Sequence, residues 1–379
     1  MKTVVISQHR LLHYRMELFR ILRDSCASNG IDLRLLHGQP TRREVLKTDV
    51  GSLPWADVVT NKYIEIAGRD WLWQPTPKHL KEADLFILMQ ENRLLSNYPK
   101  IFRLTERNSQ IAYWGHGKNF QSQSPNGLKE RWKRATLGKV DWWFAYTDST
   151  RDIVASQGYD PKRITVLNNA MDNDGFNRDL SAVSAEDISR LQQQLELADG
   201  APLGIFCGSL YEDKRLDFLV DACDIIHSSR PDFRLAVIGD GPSSQFVKDA
   251  AAERPWMKAV GQKRGIEKAV YFKRAQIVLN PGLVGLHVLD AFCAGLPMFT
   301  TSDAMHSPEI SYLEHGENGI ICPGDTLVYA NAVLQILENS SELESLQRAA
   351  KEGASRYTLK NMCSNFVDGI QTCLSNPIR

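Results

Sequence analysis

The chain has 379 residues, 43% hydrophobic and 24% charged, with zero formal net charge at pH 7, which is the composition of a folded globular protein long enough for two cores. No apolar run reaches the roughly 18 residues that span a bilayer, and the start MKTVVISQHR is punctuated too soon for a signal peptide, so a cytoplasmic protein is expected. Charge is unevenly spread: residues 1–175 hold 26 Lys and Arg against 19 Asp and Glu, and the remainder 19 against 26, which points to two domains with different partners.

In chain order, the strand TVVIS (3–7) is followed by SQHRLLHYR, whose His9, Arg10, His13 and Arg15 read either as lining a binding cleft or as a solvated first turn. A helical segment and the strand IDLRLLHG follow, then the strands ADLFILM, QIAYWGHG, DWWFAYT and RITVLNN. Strands alternating with helices predict parallel βαβ units. QIAYWGHGKNF (110–120) ends a strand on Gly-His-Gly, which would project His116, with Lys118 beyond it, from the sheet's carboxyl end. A satisfied structural histidine is the competing reading. LKERWKRATLGKVDWW (128–143) mixes five cations with tryptophans, which suits an anionic membrane surface and equally a solvated helix face before a buried strand. No nucleic-acid-binding motif accompanies the charge.

The pattern breaks over the polar stretch 172–202 and then restarts with LGIFCGS (203–209), RLAVIGDG (234–241), AQIVLN (275–280), PMFTT and GIICP. Two doubly wound α/β units facing a central cleft are therefore expected: a first domain over 1–175, a second over 176–358, and a helix over 359–379 that crosses back to the first. The seven cysteines are scattered, with no Cys-x-x-Cys pair and no zinc spacing, and read as reduced and mostly buried.

Three stretches carry candidate chemistry. In LGIFCGSLYEDKR, Gly208, Ser209, Lys214 and Arg215 have the arrangement that holds phosphate oxygens, or form an ordinary turn with solvated charges. Gly241 in VIGDGP marks a tight turn. In NPGLVGLHVLD (280–290), Gly282 and Gly285 permit close backbone approach to a helix expected to start near Leu286. Asp290 lies one turn in, on the apolar side, where it either accepts hydroxyl hydrogen bonds from a ribose or pairs with a nearby Lys or Arg.

The order of these motifs resembles the GT-B-fold glycosyltransferases of family 4, also called glycosyl transferases group 1, most strongly over residues 200–325 and also over 110–176. The resemblance implies two Rossmann-like domains, a nucleotide-sugar donor with UDP favoured, retention at the anomeric carbon and no metal or other cofactor. It places Lys214, its neighbour Arg215 and the backbone of Gly208 and Ser209 at the diphosphate, with Ser209 standing where the family has Arg. Gly241, Val260 and Gly261 fall at loops around the nucleotide, with Lys263 or Arg264 as further cations. VLNNAMDNDGF (166–176) is similar to the family's linker and HGENGIIC (315–322) to a near-terminal strand entry. His116 matches the histidine beside the reacting sugar, and Lys214 and His116 are the catalytic candidates. The family has two Glu separated by seven residues; here the second is Asp290, at the ribose, and the first is Gly282. Its loss implies sugar contacts through the backbone N–H groups of Leu283, Val284, Gly285 and Leu286. The acceptor, on the side of His9, Arg10, His13, Arg15 and Lys118, is expected to be a glycan or lipid-linked, as in bacterial surface polysaccharide assembly, with peripheral association of the basic first domain with an anionic membrane. A GT-B nucleotide-sugar epimerase and a non-catalytic nucleotide-sugar-binding partner are the rival readings.

Overall fold

The computed structural model describes residues 1–41, 44, 50–66, 68–117 and 135–376. Lys118 and the run Lys129 to Arg134 lie outside the described residues. Branched and aromatic runs bounded by polar turns form the strands. They are β1 (Lys2–Arg10), β2 (Ile31–Gly38), β3 (Asp57–Val58), β4 (Lys62–Ile66), β5 (Arg69–Trp73), β6 (Leu85–Met89), β7 (Gln110–Gly115), β8 (Trp142–Ala145), β9 (Ile164–Val166), β10 (Leu203–Cys207), β11 (Arg234–Ile238), β12 (Met257–Gly261), β13 (Ile277–Leu279), β14 (Met298–Thr301) and β15 (Gly319–Cys322). The chain divides into two units, Met1–Asp172 with Leu359–Arg379, and Asn173–Thr358.

In the first unit the sheet order is β3-β2-β1-β6-β7-β8-β9, and every neighbouring pair is parallel. Strands β7 and β8 are buried along their whole length, which is why they read as unbroken apolar or aromatic runs rather than as alternating ones. The C-terminal helix Leu359–Ser375 covers β8 and β9. At Gly369 a Cβ would lie 2.6 Å from Thr165 Oγ1 and 2.7 Å from the Phe144 ring, so glycine is what lets the helix lie this close. Phe366 stacks on Phe144 at 5.3 Å and meets Trp114 edge-on at 5.0 Å. Gln110 Nε2 donates to the carbonyls of Cys373 (2.8 Å) and Asn376 (2.6 Å), tying the helix end to β7.

In the second unit the order is β12-β11-β10-β13-β14-β15, again wholly parallel. In both sheets the order reverses beside the first strand, between β1 and β6 and between β10 and β13. At such a switch point the loops leaving the carboxyl ends part in opposite directions and leave a crevice for a ligand. Residues His9 and Arg10 end β1, residues 208–215 follow β10, and residues 280–287 follow β13. The sequence candidates thus fall at the two positions that the topology favours.

Candidate functional site

At the end of β10 the backbone is laced to the next strand end, Gly208 N–H donating to the Ile238 carbonyl and Leu210 N–H to that of Asp240, both at 3.0 Å. Gly239 and Gly241 adopt φ +151° and +155°, and a Cβ on them would lie 1.9 Å from the Gly208 oxygen and 2.7 Å from the Leu210 oxygen. The VIGDGP glycines are therefore required by packing of one loop against another. Gly261, which follows Val260 at the end of β12, has φ +73° and open space around it, and its carbonyl accepts from Gly239 at 3.0 Å. The space beside Gly208 is also unfilled, its nearest neighbours standing at 3.8 to 3.9 Å and including Lys214 Cε.

A single 3-10 turn, Glu212–Lys214, then brings the chain to Arg215, which is left-handed at φ 54°. Lys214 is only 6% exposed and its ammonium donates to the Leu283 carbonyl. Burial pulls its pKa down to about 8, with Asp213 acting in the opposite direction. The Arg215 guanidinium donates to Thr301 Oγ1 (3.0 Å) and Asp303 Oδ1 (2.9 Å) and lies 4.6 Å above the Phe218 ring. Its charge is thus directed to Asp303. Ser209 is exposed beside it.

Gly282 packs against this turn. A Cβ there would stand 2.3 Å from the Asp213 carbonyl oxygen and 2.4 Å from the Lys214 carbonyl carbon, so any side chain would have to displace backbone. The next two residues extend the contact: Leu283 N–H donates to Asp213 O at 2.8 Å, and Val284 N–H donates to His306 Nδ1 at 3.1 Å. Two of the four N–H groups anticipated at a sugar are therefore already bonded within the protein. Those of Gly285 and Leu286, with that of His287, have no acceptor among the described residues. The helix begins at Val288, not near Leu286, because i to i+3 bonds from Val288 to Gly285 (3.1 Å) and from Leu289 to Leu286 (3.0 Å) make a tighter lead-in turn. It ends at Ala294, with Gly295 left-handed at φ 67°.

His306 Nε2 donates to the Thr301 carbonyl at 2.6 Å while Nδ1 accepts from Val284, so the ring is neutral, and burial lowers its pKa further. His287 Nε2 is buried with no hydrogen-bond partner. Burial, then the charges of Lys214 and Lys268, hold its pKa well below the usual histidine value. Asp290 is 6% exposed, and Lys268 Nζ, from the helix Gly265–Arg274, lies 2.8 Å from its Oδ1. Of the two readings open for this carboxylate, the ion pair with a lysine is the one formed here. Lys268 was not foreseen: nothing in GIEKAVYFKR distinguishes it from a solvated helix cation. Burial alone would lower its pKa, but Asp290 raises it, and its ammonium also lies 4.2 Å from the Phe176 ring.

In the first unit His116 is exposed and stacks on Tyr146 at 4.4 Å. Both flanking glycines are required: a Cβ at Gly115 would lie 2.7 Å from Gln90 Cβ, and Gly117, at φ +69°, would place one 2.5 Å from Val154 Cγ2. Gln90 Oε1 accepts from Gly117 N–H at 3.0 Å, which fixes the turn carrying the imidazole. Arg15 is buried, its guanidinium 5.2 Å from the Trp114 ring and 5.9 Å from that of Tyr146. His9 Nε2 lies 3.2 Å from Glu44 Oε1 and 3.2 Å from Arg93, which bonds Glu44 (3.1 Å) and Glu91 (2.6 Å). Arg10 Nε stands 3.9 Å from Glu44. The solvated-turn reading is therefore wrong for His9, Arg10 and Arg15, which are buried, and holds only for exposed His13. Burial would raise the Glu44 pKa, but hydrogen bonding from His9 and Thr41 holds it well below the carboxylate range.

Two parallel sheets of this order, in two units, define the GT-B class of α/β proteins, and solved structures of that class superpose on the chain. HepE from Anabaena, in complex with UDP, aligns with a TM-score of 0.71 at 16% identity, covering 98% of this chain and 100% of that one. Residues 201–339, within the second unit, match the family model described as glycosyl transferases group 1. The alpha-monoglucosyldiacylglycerol synthase of Acholeplasma laidlawii is 23% identical over 183 residues, 47% of this chain and 45% of that protein. The amylovoran biosynthesis glycosyltransferase AmsK of Erwinia amylovora is 26% identical over 155 residues, 38% of this chain and 37% of that protein. The chain thus matches less than half the length of either curated relative.

Proposed function

We propose that the protein is a retaining glycosyltransferase that moves a sugar from a nucleoside-diphosphate donor, UDP favoured, to a hydroxyl of a glycan or lipid-linked acceptor in bacterial surface polysaccharide assembly. One observation carries the reading: a buried ammonium, Lys214, stands at the β10–β13 switch point within the segment matched by the glycosyl transferases group 1 model and is bonded to the 280–287 loop, whose Gly285, Leu286 and His287 N–H groups have no acceptor among the described residues. Similarity to a UDP-bound GT-B structure and to an amylovoran biosynthesis enzyme supports the donor class and the biological setting.

Charge developing on the departing diphosphate meets Lys214 and those N–H donors, which are held in place before the reaction begins. Asp290 accepts the ribose hydroxyls, with the Lys268 ammonium holding the carboxylate in position. His116 orients the sugar. The rate gain comes from electrostatics and orientation, with no protein nucleophile and no metal. The enzyme works in the cytoplasm at the inner membrane face, with acceptor binding assigned to the basic first unit around His13 and Lys118.

The test is incubation with a panel of UDP-, GDP- and dTDP-sugars, with and without lipid-linked acceptors and with a chelator, followed by NMR of the anomeric proton. A transferred sugar of unchanged anomeric configuration, formed with the chelator present, is the expected product. A free epimer would indicate an epimerase, and donor binding without turnover a binding partner. His116→Ala should lower turnover while leaving nucleoside diphosphate affinity unchanged, and unimpaired transfer by that variant would remove His116 from the mechanism.

A further inference from the structure

The hairpin β4–β5 presents an unusual outer face. Its antiparallel register pairs Lys62 with Trp73, Tyr63 with Leu72, Ile64 with Trp71, Glu65 with Asp70 and Ile66 with Arg69. Paired residues share a face and successive pairs alternate, so Tyr63, Leu72, Glu65 and Asp70 occupy one side, and Lys62, Ile64, Ile66, Arg69, Trp71 and Trp73 the other. On the first side Tyr63 and Leu72 are applied to the unit, while Glu65 near the hairpin tip is exposed. Tyr63 Oη donates to the Gln39 carbonyl, and Leu72 is 1% exposed, its backbone bonded to Arg93 O (2.9 Å) and Leu95 N (2.8 Å).

The opposite side faces solvent with Ile64 54%, Ile66 57% and Trp73 43% exposed. A solvent face of a hairpin is ordinarily polar, and exposed isoleucines and tryptophan on a two-stranded edge are an association hazard unless they have a partner. The charges on this face are Lys62 and Arg69, both exposed, while both acids of the hairpin lie on the other side. A second copy of the same face would set these cations against one another, because an isologous contact is self-facing. An anionic bilayer satisfies all three features together: tryptophan at the headgroup level, aliphatic side chains at the acyl boundary and cations on lipid phosphates.

We propose that the outer face of the β4–β5 hairpin is the surface by which this protein docks on an anionic lipid bilayer. The proposal deepens the membrane element of the proposed function and rests on it, but on residues distinct from the run at 128–143.

The experiment is co-sedimentation of the full chain with phosphatidylcholine vesicles with and without phosphatidylglycerol, together with tryptophan quenching by lipids brominated along the acyl chain. The protein should partition onto the phosphatidylglycerol vesicles and be quenched. Ile66→Ser/Trp73→Ser and, separately, Lys62→Glu/Arg69→Glu should each lower partitioning about tenfold or more. Thermal midpoint and nucleoside diphosphate affinity, read on the same samples, should stay at wild-type values and so report that the variants fold. Wild-type partitioning retained in both variants would overturn the hairpin while leaving a membrane role for another segment. Absence of partitioning by the wild type would overturn the membrane role as well, and a light-scattering mass that falls from dimer to monomer in the Ile66/Trp73 variant would assign the face to a second copy instead.

Discussion

At Gly282, where the sequence resemblance implies a glutamate, the Asp213–Lys214 backbone occupies the space a side chain would need. Gly282→Ala should destabilise the fold by about 1–3 kcal/mol in denaturant unfolding and weaken nucleoside diphosphate binding by shifting Lys214. Gly282→Glu should restore no sugar contact and be worse on both counts. Lys214 carries a pH signature. Its pKa is about 8 in the folded chain against an ordinary lysine value of 10.5, so the unfolded state binds more protons between the two, and this residue's contribution makes stability rise with pH across that window. Affinity for a diphosphate should move the other way, falling as pH rises through about 8, and Lys214→Arg should abolish that fall because its charge persists. Calorimetric titrations across this range check the sign. Lys268→Met would leave buried Asp290 without its cation, at a cost of about 3–5 kcal/mol, and adding Asp290→Leu should recover much of it. Sequence spacing showed that Asp290 needed a partner, because a carboxylate on an apolar stripe does. It did not show which partner, because Lys268 approaches from another helix.

At the level of elements, Leu359–Ser375 is as much a part of the first unit as its sheet, burying Met362, Phe366, Ile370 and Cys373. Gly369→Leu should force the helix off β8 and β9, lowering the thermal midpoint and raising binding of a hydrophobic dye, whereas a leucine at exposed Lys360 should change neither. The long buried strands were legible because a strand covered on both faces must be apolar throughout, as FILM in β6 and WWFA in β8 are. Strands β4, β5 and β12 were not. Their apolar residues are interleaved with Lys, Glu, Arg and Asp, and in β4 and β5 several of those apolar residues point outward. The left-handed turn at Arg215 left no signal either, since non-glycine residues there carry no sequence mark.

Across the whole chain, the two reversals of strand order place both sets of candidate residues at carboxyl strand ends, a placement implied by the repeated strand-helix pattern. The acidic excess beyond residue 175, 26 Asp and Glu against 19 Lys and Arg, means that long-range attraction does not gather an anionic donor there. Local cations must hold it, and because Lys214 and Lys268 are shielded from solvent, donor affinity should change little with added salt, unlike vesicle binding through exposed Lys62 and Arg69. The proposed function rests on Lys214 at the β10–β13 switch point holding the diphosphate of a nucleotide donor. Calorimetric titration of UDP into the full chain and into Lys214→Ala, at neutral pH, tests it most directly. Saturable one-site binding that weakens about tenfold to a hundredfold in the variant is the predicted result. Equal affinity in both proteins, or no binding of any nucleoside diphosphate by the wild type, would contradict it.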